Sequence, residues 1–121
     1  MTDISQSAAL ETARAYHRAW TSGDLDGAIA HVADDIICRA PGGDITGKDA
    51  YRSFLGGFAA NVTGLTDVAA FGDEEHVVLF YLPHTAATST AAAAEHFTIR
   101  DGQIVESELV FDRLSFTPQQ Q

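Results

Sequence analysis

Two side chains in this sequence combine a reactive type with a setting that would alter its chemistry. Glu95 follows the alanines Ala91 to Ala94 and precedes Phe97 and Ile99. In a strand, the face that takes Phe97 also takes Glu95 and Ile99, leaving His96 and Thr98 on the other. A carboxyl held among Phe97, Ile99 and alanines is desolvated, which raises its pKa, so it can donate a hydrogen bond while neutral or act as a base. A register slip of one residue reverses this, turning Glu95 to solvent and His96 inward. Tyr16 lies on the helical stripe Ala9, Ala13, Tyr16, Trp20. A phenol buried there either donates to an oxygen that gathers negative charge or is a core tyrosine with a backbone partner.

The other reactive types lack the companions their chemistry needs. Cys38 is expected to face inward as a small hydrophobe. A nucleophilic thiol needs a positive neighbour, and the adjacent Arg39 belongs to the opposite strand face. His17, His31, His76, His84 and His96 include no pair at a spacing such as H-x-x-x-H, so no metal is expected. Gly42-Gly43 and Gly56-Gly57 lack the spacing and following helix of a phosphate-binding loop, and no cofactor is implied. Asp44 reads as a solvated turn residue and His31 lies off its helix stripe, so both are expected at the surface.

The elements that carry these residues are legible from periodicity. Ser7 to Trp20 is helical, stopped at Thr21-Ser22-Gly23, with Gly23 suited to a left-handed cap. Asp24 caps a short second helix whose face is Leu25, Ala28, Ile29 and Val32. Ile36 to Ala40 reads as a strand ended by Pro41-Gly42-Gly43. Thr46 and Asp49 resemble a capping box for a third helix with Tyr51, Phe54, Leu55 and Phe58 on one face. Strands follow at Leu65 to Phe71, His76 to Leu82 (ended by Pro83), Thr88 to Ile99, and Ile104 to Leu114. The Asp101-Gly102 pair signals a hairpin between the last two. Helices first and a strand meander after them predict α+β.

Composition narrows the class further. The 121 residues suit one domain, with 45% hydrophobic and 20% charged residues. Seventeen acids against seven bases give a net charge of −10. That balance disfavours nucleic acid and anionic membranes as partners, and scattered acids serve solubility. No apolar run approaches a membrane span. The opening MTDISQSAAL lacks the features of a secretory leader. With Cys38 the sole cysteine, a reducing cytoplasm is the expected location.

The stretch Tyr16 to Asp26, then Ala33-Asp34-Asp35, Pro41-Gly42-Gly43, Gly47-Lys48-Asp49-Ala50, Asp101-Gly102-Gln103-Ile104 and Phe111-Asp112 resembles the nuclear-transport-factor-2-like superfamily. Within it, the chain is most similar to the branch of ketosteroid isomerases and SnoaL-type polyketide cyclases. The resemblance covers nearly all of residues 1–121. It implies a cone-shaped, curved antiparallel sheet packed on three N-terminal helices, enclosing an apolar pocket, and a homodimer. It places Tyr16, Trp20, Phe54, Phe97 and Phe111 on the pocket side, with Cys38, Ala40 and Leu109 beside them. Tyr16 stands where the isomerases carry the phenol of their oxyanion hole, and Glu95 where they carry a second, acidic donor.

The chain departs from that branch at the residue before Pro41. The isomerases hold their proton-shuttling aspartate there, and this chain has Ala40, with Asp44 or His31 as the possible replacements. Leu109 stands where the limonene-epoxide-hydrolase branch has an acid. The resemblance therefore implies a small, apolar, polyketide- or steroid-like carbonyl ligand, handled by an isomerase or cyclase without cofactor, or by a non-catalytic carrier. A third possibility is a structural domain that uses its sheet face for pairing. Sedimentation at micromolar concentration should show twice the chain mass; a clean monomer would remove the expected dimer.

Overall fold

The structure, a computed structural model, describes residues 8–112. The start of the first helix at Ser7 and the end of the last strand at Leu114 lie outside those residues. Helix α1 spans Ala8–Thr21, α2 Leu25–Ile29 and α3 Lys48–Ala59. The strands are β1 Val32–Ala40, β2 Gly43–Thr46, β3 Gly64–Gly72, β4 His76–His84, β5 Ala93–Arg100 and β6 Gln103–Phe111. The stripe on α1 forms as expected: Ala9, Ala13, Tyr16 and Trp20 are all buried. Asp24 caps α2, its side chain accepting from the Gly27 N–H at 2.9 Å.

The six strands form one curved, unclosed sheet in the order β2-β1-β6-β5-β4-β3. All neighbours are antiparallel except β1 and β6, which run parallel. A parallel pair needs a long crossover, and α3 with strands β2 to β5 supplies it. Curvature follows from extra residues. Asp67 faces Tyr81 and Ala69 faces Phe80, so Val68 is bulged out of β3. Ile104 faces Ile99 and Glu106 faces Thr98, so Val105 is the extra residue of β6. Bulges of this kind bend and twist a strand, and the bent sheet wraps α1 and α3 on its concave side.

Several local expectations are corrected. Val32 begins β1 instead of completing the α2 face, because α2 ends after five residues. Asp34 and Asp35 lie within β1. The residues after Pro41-Gly42 form the unexpected strand β2, too short and polar to show a pattern. Gly47, not Thr46, is the N-cap of α3, and no side chain bonds there. Pro83 stays inside β4, paired with Leu65. It is tolerated because β5 pairs with β4 only as far as Tyr81, and a missing N–H is harmless where a strand has one neighbour. Strand β5 begins at Ala93, not Thr88. Thr98, expected outside, is buried beside the β6 bulge.

The Asp101-Gly102 hairpin forms as read, with φ of 53° and 75° at the two residues. Two successive positive φ values match the right-handed twist of the flanking strands. The opposite sheet face leaves apolar side chains in solvent, among them Val78, Phe80 and Val110, the last 60% exposed. Replacing Asp24 with alanine should cost about 1 kcal/mol in denaturant melts, as loss of a helix N-cap does. No change would mean that α2 is held by packing alone.

Candidate functional site

The centre of the concave face is a cluster of one acid and three phenols. Alternation along β5 turns Ala93, Glu95, Phe97 and Ile99 inward, all buried, with Glu95 only 4% exposed. The matching alternation on β4 buries Val77, Leu79 and Tyr81. Tyr81 Oη donates to Glu95 Oε1 at 3.0 Å. From the helices, Tyr16 of α1 and Tyr51 of α3 meet hydroxyl to hydroxyl in a hydrogen bond. Phe97 packs edge-on against Tyr16, ring centroids 5.5 Å apart.

Burial governs the ionisation of this cluster. It pushes the Glu95 carboxyl up from 4.5 to about 7, against the opposing effect of the Tyr81 hydrogen bond. Burial likewise holds Tyr16, Tyr51 and Tyr81 well above the usual phenol range, and the nearby Glu95 charge adds to this for each. At neutral pH the cluster is thus a set of neutral phenols around a carboxyl near its midpoint. Such groups can donate hydrogen bonds to an oxygen that becomes negative. Cys38 is buried beside Ser107, and desolvation raises its thiol to about 11, so it stays neutral. Among the described residues, Ser107 Oγ and Trp20 Nε1 are buried and have no hydrogen-bond partner of normal geometry.

Aromatic rings connect this interior to the open end of the cone. Tyr51 leads to Phe54, centroids 6.4 Å apart, and Trp20 leads through Phe58 to Phe111 at 5.8 and 6.1 Å. Phe54 and Phe111 line a cleft of about 380 Å³ with Ala40, Pro41, Asp44 and Ile45. Leu109, itself buried, borders an adjoining hollow of about 360 Å³. The clefts end at these side chains, and the acid–phenol cluster lies behind them. Ala40 is half-buried at the rim. Asp44 is exposed on β2 and is the one ionisable side chain lining the first cleft. His31 is half-buried, away from both clefts, and its carbonyl accepts the Ile104 N–H at 2.8 Å.

Three polar residues here were not singled out from the sequence. By spacing, Tyr51 belongs to the apolar face of the third helix and Tyr81 is one residue of the strand His76 to Leu82. Each pairs a hydrophobic ring with a hydroxyl whose partner is remote in sequence. His17 is buried against Tyr81 and Trp20, with Nε2 3.1 Å from Asp67 Oδ1. Burial lowers its pKa and Asp67 opposes this. Its spacing of four from Ala13 was the available signal. Among the described residues, no group of three or more His, Cys, Asp or Glu side chains is placed to hold a metal. None of the described helices is long and apolar enough to cross a membrane.

Three helices against a curved, unclosed sheet make the nuclear-transport-factor-2-like fold, and solved structures of that description share it. Residues 13–107 match the SnoaL-like domain, and the chain belongs to that family. A solved protein from Kribbella flavida is similar at 46% identity over 92% of both chains, with a TM-score of 0.88. A candidate polyketide cyclase from Xanthomonas campestris shares the fold at 21% identity, covering 90% of this chain and 93% of its own, TM-score 0.72. So does TerC co-crystallised with polyporic acid, at 21% identity over 91% and 95%, TM-score 0.77. No curated protein gives a significant match.

The buried acid makes stability depend on pH in a definite direction. Glu95 is tolerated inside in its neutral form, and its pKa is higher folded than unfolded. Its contribution is therefore complete below about 4.5 and is lost as pH rises through about 7. The loss is about 3 kcal/mol across that window. His17 acts oppositely, because a histidine buried neutral disfavours folding as pH falls below its ordinary 6.5. Comparing melts of the parent and Glu95→Gln from about pH 5 to 8 isolates the acid. The parent should lose stability relative to the variant as pH rises; a constant difference would show that Glu95 ionises as it does in water.

Proposed function

We propose that this SnoaL-like domain takes a small, largely apolar carbonyl compound of polyketide or steroid type into the open end of the cone and acts on it without a cofactor. The observation that carries this reading is the buried cluster of one carboxyl and three phenols, Glu95 and Tyr16 among them, placed behind an aromatic mouth. Phe54 and Phe111 receive the ligand, Ala40 and Leu109 border it, and Trp20, Cys38 and Phe97 wall the interior. Tyr16 and Glu95 act as the polar pair that turns toward the ligand's oxygen. As an enzyme, the protein is an isomerase or cyclase in which these donors stabilise an enolate. The relatives support the ligand class: one is a candidate polyketide cyclase, another was crystallised with polyporic acid. We further propose a homodimer formed through the exposed Val78, Phe80 and Val110, in the reducing cytosol.

A second reading, a carrier that binds without reacting, is favoured by one residue. Ala40 sits at the mouth where a base would stand, and a proton cannot leave carbon without a base within reach. Asp44, on the same cleft, is the nearest substitute. The decisive assay is double-bond migration in a small β,γ-enone, comparing the parent, Ala40→Asp, and Ala40→Asp with Tyr16→Phe. A general base contributes about 10²–10⁴-fold, so Ala40→Asp should gain measurable activity and the double variant should lose most of it. Strong parent activity that disappears in Asp44→Asn would instead make Asp44 the base. A folded, inactive Ala40→Asp would mean that no enone is held against this strand.

A further inference from the structure

A separate hollow lies between α1 and the β3–β4 side of the sheet, away from the mouth, and has a different character. It measures about 310 Å³ and is bounded by Arg14, His17 and Arg18 of α1, by Asp67 to Ala70 of β3, and by Leu79 and Phe80 of β4. It exists because of the bulge: Val68 is the extra residue of β3, and the strand bends where it passes α1. The same bend brings Asp67 onto His17 Nε2 at 3.1 Å. The hollow thus has an apolar floor, a fixed carboxylate–imidazole pair on one wall and two guanidinium groups on another.

The guanidinium groups are what call for a ligand. The chain carries a net charge of −10, with only seven bases. Among the described residues, Lys48, Arg52 and Arg100 have carboxylate partners. Arg14, Arg18 and Arg39 have none within 4.0 Å, so two of these three cations border one hollow. They stand four residues apart on the helix, where like charges repel. Asp67, the acid in the hollow, is engaged by His17.

We propose that this hollow is a second ligand site, separate from the mouth of the cone, which binds a small carboxylate with an apolar ring or branched body. The carboxylate takes hydrogen bonds from Arg14 and Arg18, whose forked donors match its geometry. The body lies on Leu79, Ala70 and Val68. At about 310 Å³ the hollow is at the small end of ligand pockets, which limits the body to about one ring. Asp67 excludes a second negative charge on the ligand, since its side chain is 75% exposed and adjoins the same space.

The test is an amide-shift titration of the whole chain with phenylacetate, phenylacetamide and inorganic phosphate in parallel. Phenylacetate should perturb Arg14 to Arg18 and Asp67 to Ala70, with the amide at least about tenfold weaker, since it loses a charged hydrogen-bond acceptor. Arg14→Gln and Arg18→Gln should each weaken phenylacetate about threefold to tenfold, allowing for their exposure to solvent. Arg39→Gln and Glu95→Gln should leave it unchanged, which separates this site from the interior cluster. Equal binding of acid and amide, or indifference to both arginine substitutions, would overturn the proposal. Shifts confined to Ala40 to Ile45 would do the same by placing the acid at the mouth. Phosphate binding as tightly as phenylacetate would overturn the apolar body.

Discussion

The hydrogen bond from Tyr81 to Glu95 is the point on which the interior is organised. A carboxyl can be taken out of water at the centre of a sheet when it is neutral or well hydrogen-bonded. Tyr81 supplies one bond from the neighbouring strand. The surrounding phenols pack their rings around the acid, and their hydroxyls remain protonated because the same burial acts on them. A carboxyl shifted to about 7 results from this enclosure.

Helix α1 serves both sides of the molecule. Its inner arc gives Tyr16 to the acid–phenol cluster and Trp20 to the aromatic path, and its outer arc presents Arg14 and Arg18. His17 lies between the two, its ring packed on Tyr81 and its Nε2 turned to the bulged edge strand. The bulge at Val68 therefore shapes the sheet and gives the outer arc a neighbour.

Much of the fold and part of the candidate site can be read from residue order. The stripe of α1, the Asp24 cap and the Asp101-Gly102 hairpin depend on interactions within a few residues, and they form as read. The inward face of Glu95 follows from its spacing to Phe97 and Ile99 once Phe97 is placed in the core. That an alanine, Ala40, precedes Pro41 is also a fact of sequence.

What tertiary structure alone decided is the company these residues keep. Tyr51 and Tyr81 have the periodicity of ordinary core positions, and only the meeting of α3 with α1 and of β4 with β5 makes them partners of Tyr16 and Glu95. The parallel β1–β6 pair, the bulges and the short strand β2 are invisible to periodicity, because strand pairing is settled between segments far apart in the chain. His17 and Asp67 are fifty residues apart and meet across the edge of the sheet. Sequence determined which side chains turn inward along regular stretches, since that depends on local spacing and hydrophobicity, and it failed at Thr98, where a bulge resets the alternation. Packing determined which polar groups touch and how far burial moves their pKa, since both depend on contacts that local spacing does not specify.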